Sequence, residues 1–313
     1  MPHGVWRGSN EGPKSASVRK EAALYAGVIF GSLLAVALWE FCWPRRRREF
    51  PALRRRFANI GFWILNLLLA AFLLPQAAFA RARIETLTGL ALPSWPIADA
   101  GLSFVTGFLM LDLMRYLLHR CEHAVPLFWR FHALHHSDPD VDVTTAVRHH
   151  PIEDVPLSVV YWLAVLVVDI PVAVVITHGL AVFATAAVQH GNIRLPEWLE
   201  RSLQPLLVTP DLHRVHHSIV VHEANANYGA VLSVWDRFFG SLVTLNPAEH
   251  QRIVFGINGF APENGLRPSS MLLTPWLLCR ATRPAPPRDD PRRFAPTVEP
   301  AAFRGRQRAK IRR

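Results

Sequence analysis

Eight histidines in three tight clusters constrain this chain more than any other feature. The clusters are His119-Arg-Cys-Glu-His123, His132-Ala-Leu-His135-His136 and His213-Arg-Val-His216-His217. On a helix, residues three and four apart share a face. Each cluster therefore aims two imidazoles at one point. In the two HxxHH clusters the adjacent histidine is rotated by about 100° and reaches toward a second point. Imidazole is a common ligand of iron, zinc, copper and nickel. One metal takes about four to six ligands, so eight histidines predict two ions. The fold must then bring all three clusters to one place.

The rest of the chain says where that place is. Half of the 313 residues are hydrophobic, and mean hydropathy is positive. Ala22 to Trp43 is apolar except for Glu40 and long enough to span a bilayer. It stops at Pro44 and Arg45-Arg46-Arg47-Arg48. Arg54, Arg55 and Arg56 follow, then a second apolar stretch from Ala58 to about Ala80. This first connection carries seven arginines and the next, Arg81 to Pro96, carries two. The positive-inside rule places the first loop in the cytoplasm and the second opposite. A third stretch, Ala98 to Leu118, returns the chain and delivers His119 and His123 to the cytoplasmic surface. Val155 to Val188 is again apolar, with Pro171 inside it. A pair of helices that dip in and return is expected there, because a single span would strand the third cluster on the wrong side.

Net charge is +10. The basic runs flank apolar segments and fill the tail, which predicts contact with an anionic membrane surface rather than nucleic acid. Cys42, Cys121 and Cys279 form no CxxC pair, against a thiolate zinc site or a disulfide framework. No small-residue cleavage site follows a short apolar core near the N-terminus, so a removable signal peptide is not expected.

Other residues gather around the clusters. Thr209-Pro210-Asp211 reads as N-cap, first helical residue and acidic first turn, placing His213, His216 and His217 on a helix. Asp112 lies on the same apolar helix as His119, where an acid needs a partner. It is expected to hold the free ring nitrogen of a ligand histidine. His150, with Glu153 after it, and His190 both lie where the chain returns to the interface, and both are expected to complete the two coordination spheres. Glu153 and Asp211 are further candidates for the layer behind the ligands. Asn227, Tyr228, Trp235 and Asp236 either shape the site or serve packing and turns. His149 is expected to point away from its neighbour's target, and Cys121 to be a small packed residue. His178 reads as packing or support, and His3, His222 and His250 as surface residues.

The ligands are almost all neutral imidazoles facing a membrane. Hydrolytic zinc keeps three protein ligands and an open water, and paired hydrolytic metals usually share a carboxylate. This donor set suits iron that activates dioxygen, with the cofactor performing the oxidation and the protein supplying position. Two rivals remain: a zinc-dependent membrane hydrolase using the same histidines, and a metal carrier. A carrier predicts polar residues lining its spans, and these spans offer few.

From Asp112 to Gly240 the sequence resembles the fatty acid hydroxylase/sterol desaturase superfamily of membrane-bound non-haem di-iron oxygenases. The resemblance rests on the three clusters, Arg148-His-His150-Pro-Ile-Glu153, Gln189-His190-Gly-Asn192, Asn227-Tyr-Gly229 and Trp235-Asp-Arg-Phe-Phe-Gly240. It implies an all-α fold: an integral membrane helical bundle with a cytosolic histidine-rich helical cap. It implies two iron ions, O2 as co-substrate, a lipid substrate such as an acyl chain or sterol, and hydroxylation or desaturation as the outcome. The eight clustered histidines carry over as ligands, with His150 and His190. The sequence holds no His-Pro-Gly-Gly motif and no flavin or dinucleotide fingerprint. A separate electron donor is therefore implied, cytochrome b5-like or a ferredoxin with its reductase. The expected organisation is a mobile segment 1–20, a membrane hairpin 21–97, a catalytic domain 98–260, an interfacial segment 261–279 and a disordered basic tail 280–313.

Overall fold

A computed structural model describes residues 13–89 and 94–281. The expected mobile N-terminal segment lies largely outside these residues, and the expected disordered tail lies almost wholly outside them. Among the described residues the fold is all helix, with no strand beyond two isolated bridges. Three long helices come first: α1 (Pro13–Cys42), α2 (Ala52–Thr88) and α3 (Ala100–Ala124). Then come α4 (Pro126–His136), a 3-10 turn over Val143–Val147, α5 (Asp154–Leu166) and α6 (Val172–His190). Short helices complete the chain: α7 (Glu197–Leu203), α8 (Pro210–His216), α9 (Val221–Ala224), α10 (Val234–Phe238), α11 (Pro247–Gln251), α12 (Pro268–Leu272) and α13 (Thr274–Ala281).

Ala22–Cys42, Ala100–Ala124 and Val172–His190 are each long and apolar enough to cross a membrane. Their outward faces keep large apolar side chains uncovered: Phe30 is 59% exposed and Leu34 60%. Such a surface is stable only against lipid. The 37 residues of α2 extend about 55 Å at 1.5 Å per residue, well beyond a hydrocarbon core of about 30 Å. This helix continues through Thr88, so the first part of the expected Arg81–Pro96 connection is helical, and it ends on Gly89 in the left-handed region. The apolar segment before His190 is two helices. Asp169, with φ of 63°, and Pro171 break it, because proline cannot continue a helix. Thirteen residues in α5 and nineteen in α6 give lengths of about 20 and 28 Å, two helices joined by a short turn. Leu111 of α3, Ala164 of α5 and Val174 of α6 close on each other with Ile170 at its turn.

The short helices form a cap at one end of the bundle. What fastens them is unexpected. Five of the seven arginines expected at the membrane surface pair with acids of the protein, whereas Arg47 and Arg54 are exposed. Arg55 is fully buried and donates to Asp138 at 2.7 Å and to Asp142. Arg56 donates to Asp142 at 2.8 Å and to Glu40 at 3.2 Å. Arg48 also reaches Glu40, and Arg45 pairs with Asp211. Glu40 accepts from the backbone N–H of Val143 and of Asn192, both at 2.7 Å. An acid inside an apolar span is costly unless paired. This one ties α1 to both the 3-10 turn and the end of α6. Arg148, also fully buried, donates to the carbonyls of Leu134 and Gly265 and to the side chains of Asn59 and Ser137.

Candidate metal centre

α3 ends in His119 and His123, α4 carries the second cluster, α6 ends in His190, and α8 carries His213 and His216 with His217 as its C-cap. The α8 start matches the expected signature: Thr209 is the N-cap, its side chain accepts from the Leu212 N–H, and Pro210 opens the helix. Nine histidines meet at the junction in two groups. The first holds His119, His123, His132, His136 and His216; the second holds His135, His190, His213 and His217. Within each group the ligand-capable nitrogens lie within 4.8 Å of one another. The HxxHH spacing accounts for the division. In each box the i and i+4 histidines share a face and enter one group, while the i+3 histidine turns to the other. His132 and His136 join the first group and send His135 to the second. His213 and His217 join the second and send His216 to the first. The groups touch: the His136 and His217 rings stack at 4.6 Å.

The first group is fixed from behind. His119 Nδ1 donates to the Tyr228 carbonyl at 2.8 Å, and His216 Nδ1 to the Ala226 carbonyl at 2.7 Å. His132 Nδ1 donates to Glu153 at 2.9 Å, and His123 Nδ1 contacts the Asn225 side-chain oxygen at 3.2 Å. Carbonyl and carboxylate oxygens only accept, so these partners place the proton on Nδ1 and the lone pair on Nε2. In the second group His190 Nδ1 donates to the Ala186 carbonyl at 2.8 Å. The Nδ1 atoms of His135, His213 and His217 are buried without a hydrogen-bond partner.

The inward nitrogens fit a cation. His132 Nε2 lies 3.2 Å from His119 Nε2 and 3.2 Å from His136 Nε2. His190 Nε2 lies 2.9 Å from His213 Nε2 and 3.1 Å from both His135 Nε2 and His217 Nε2. Where both partners carry their proton on Nδ1, two lone pairs face each other and repel. A metal between them removes that conflict. Metal–imidazole bonds of about 2.0–2.1 Å set at right angles separate adjacent nitrogens by about 3 Å, the spacing found here. His123 Nε2 and His216 Nε2 are buried with no hydrogen-bond partner. Burial first, then neighbouring imidazoles, holds His135, His136, His213 and His217 well below the usual histidine range. The same causes bring His216 down to about 3. These imidazoles are neutral at physiological pH, as ligation requires. No carboxylate oxygen belongs to either group.

The other sequence-predicted residues divide. His190 joins the second group. His150 joins neither: its Nε2 faces the Leu272 carbonyl at 3.3 Å and its Nδ1 accepts from the Ile152 N–H. It is His149 that turns inward, stacking on His135 at 4.7 Å. Glu153 takes the supporting role, accepting from both His132 and His149. Burial raises its carboxyl, but His149 and His132 outweigh it and hold the group well below the usual range. In return burial lowers His149, and Glu153 overrides that to bring it up to about 9.

Asp112 does not reach a group histidine. It sits seven residues before His119, about 10 Å along the helix. It accepts from Trp235 Nε1 at 2.9 Å, from the backbone N–H of Val231 and Leu232, and contacts His178 at 3.4 Å. Asp211 pairs with Arg45 and lies 3.7 Å from His250, away from both histidine groups. Asp236 accepts from the N–H of Tyr228 and of Gly229, and so fixes the loop whose carbonyl holds His119. Asn227, with φ of 54°, donates to the carbonyls of Leu212 and Val243. Gly229 is obligatory, since a Cβ there would meet the Leu232 carbonyl at 2.6 Å. Sequence reasoning missed the carbonyls of Ala226, Tyr228 and Ala186, because backbone acceptors leave no residue signature. It also placed His250 on the surface, whereas His250 is 7% exposed. His222 is on the surface, its side chain 71% exposed.

Two cavities reach the histidines. One, of about 360 Å³, opens among α2, α5 and α6 and touches His119, His132, His135, His190 and His213. Its outer walls include Trp63, Leu157, Val182 and Phe183, and Asn66, Arg115 and Tyr161 line it with polar groups. The other, of about 270 Å³, lies between α4 and the loops around Ser218 and Ile257, and touches His123 and His136 of the first group.

Residues 104–241 match the sequence model of the fatty acid hydroxylase family. That region, a little under half of the chain, is similar to a fatty acid hydroxylase domain. The chain is 31% identical over 165 residues to the ornithine lipid hydroxylase OlsE of Rhizobium tropici, a match covering 53% of this chain and 47% of that protein. Against human alkylglycerol monooxygenase it is 29% identical over 175 residues, covering 52% and 36%. Against a very-long-chain aldehyde decarbonylase of Oryza sativa subsp. japonica it is 28% identical over 154 residues, covering 47% and 24%. The chain thus spans less than half the length of these relatives. No solved structure matches it.

Proposed function

We propose that this protein is a membrane-bound di-iron oxygenase that hydroxylates a lipid, using O2 and electrons from a separate donor. The observation that carries this reading is the nine-histidine site. Two groups of neutral imidazoles, without a bridging carboxylate, stand at the inner end of a cavity walled on its outer side by apolar residues of α2, α5 and α6. In the first group His119, His123, His132, His136 and His216 would hold one iron, and in the second His135, His190, His213 and His217 the other. Bound iron would supply the oxidising power for a C–H bond. The chain's own residues do the rest. Trp63, Leu157 and Phe183 guide an acyl chain from the bilayer and exclude water. Asn66, Arg115 and Tyr161 face the same space and suit a lipid with a polar group near the oxidised carbon. Hydroxylation leads because two of the similar proteins bear the names of a lipid hydroxylase and a monooxygenase.

The histidine cap and the arginine loop belong on the cytoplasmic face. Arginines bias insertion before their acidic partners fold around them, so the inward pairing does not remove the signal. Single cysteines at Ser94 and at Arg54, probed from outside intact cells, test this: Ser94 should label and Arg54 should not.

The activity test is incubation of iron-replete protein, reductant, electron donor and extracted membrane lipids under isotopically labelled O2. The expected result is one labelled oxygen per product lipid and about two irons per chain. Turnover without O2 and reductant, retained with zinc, would identify a hydrolase instead.

A further inference from the structure

A third cavity, of about 470 Å³, lies on the outer side of α8. Arg45, Arg46, Arg194, Arg201 and Arg214 line it. Several of these charges are already matched. Arg45 pairs with Asp211, Arg46 lies 3.8 Å from Asp140, and Arg201 donates to Glu197. Glu200 accepts from Gln204. Arg214 is different. It is 1% exposed, and its Nε and Nη1 are buried without a hydrogen-bond partner. Its described contact is the Phe255 ring, 4.8 Å away, which Arg46 also covers at 4.1 Å. His250, on the same wall, is 7% exposed and has a buried, unpartnered Nδ1. A buried guanidinium without an acceptor is unfavourable unless something supplies one.

We propose that this cavity binds a phosphate group, with Arg214 as the buried anchor and Arg194 at the rim. Arginine's planar fork matches phosphate oxygens two at a time. The cavity leaves room for an ester beyond the phosphate. Its position favours one at the membrane surface: Arg45 and Arg46 follow closely on Cys42, where the first span ends. Trp198, 69% exposed, stands on the neighbouring α7. The phosphate of a lipid headgroup and a soluble phosphate ester share this chemistry.

The test uses the full chain in maltoside micelles, in phosphate-free buffer at fixed ionic strength. Inorganic phosphate and dihexanoyl phosphatidic acid are titrated separately, by calorimetry and by melting midpoint. A saturable rise in midpoint is expected. Tighter binding of the phosphatidic acid assigns the site to a lipid headgroup; equal or tighter binding of inorganic phosphate assigns it to a soluble ligand. Arg214→Gln should weaken binding on the order of tenfold or more while metal content stays at the wild-type level. Arg194→Gln, at an exposed position, should weaken it severalfold and guards against misfolding of the first variant. Absence of saturable binding by both probes overturns the proposal. So does wild-type affinity in both folded variants.

Discussion

The two histidine groups are built from the same boxes but are held differently. In the first, four of five rings have their outer nitrogen tied to an oxygen, at Tyr228, Asn225, Glu153 and Ala226. In the second, only His190 has such a tie, to its own helix. The first group also has a carboxylate, Glu153, directly behind a ring, whereas among the described residues no carboxylate backs the second. Hydrogen bonds behind a ligand fix its orientation and raise its basicity. The first group is therefore preorganised by the cap, and the second depends on where α4, α6 and α8 place their ends. The difference teaches that identical spacing in sequence does not confer identical rigidity. Rigidity comes from the loops packed behind the rings.

The largest effect should come from His132. His132→Ala removes a ligand whose Nε2 lies between two others and also releases Glu153. Turnover should vanish and the first group's metal should be lost, leaving about one iron per chain by mass spectrometry. His150→Ala should keep both metals and most turnover, because both of its ring nitrogens face backbone outside the groups. Loss of iron in His150→Ala would break the division of the histidines.

Glu153→Gln comes next. The amide keeps the shape but loses the charge behind His132, which should cost about 10- to 100-fold in metal affinity or activity. The loss should fall on the first group. If the second group's affinity fell and the first group's did not, Glu153 would be acting through His149 and His135 instead.

Much of this was legible in the sequence, for reasons the boxes make plain. Helical periodicity assigns His132, His135 and His136 to two directions without any structure. The Thr209-Pro210 start and the break at Pro171 are local chemistry, and both helices begin and end where that chemistry directs. What could not be read is long-range. Seven arginines in one loop look like membrane contacts, and only the fold brings Asp138, Asp140, Asp142 and Asp211 beside five of them, from up to 166 residues away. Asp112 looked like a ligand's partner because it shares a helix with His119, yet seven residues at 1.5 Å already set it about 10 Å away; its partners at Val231, Leu232 and Trp235 come from a distant segment. His149 and His150 could not be told apart, since the irregular stretch before Pro151 leaves no periodicity to count.

Metal removal tests the comparison without mutation. Equilibrium dialysis of iron-loaded protein against graded chelator should show two steps, the second group emptying first. About tenfold between the apparent affinities is expected, the low end of what backing interactions contribute. Spectroscopy of the half-emptied protein assigns the step: His132→Ala should lack the tight site and keep the weak one. A single step would mean that the groups bind as a unit.

The smallest effect belongs to the weakest tie. His123 meets the Asn225 side chain at 3.2 Å, longer than the usual 2.9–3.0 Å for such a bond, and is only partly buried. It also borders the smaller cavity, where solvent can replace a lost partner. A neutral hydrogen bond contributes about 0.5–1.5 kcal/mol, so Asn225→Ala should weaken the tight site only about two- to tenfold. Iron content at saturation should stay at two, and the order of emptying should not change. If Asn225→Ala instead reversed that order, the backing of His123 would outweigh that of His132. Preorganisation of the first group would then rest on the loop at 225–228 rather than on Glu153.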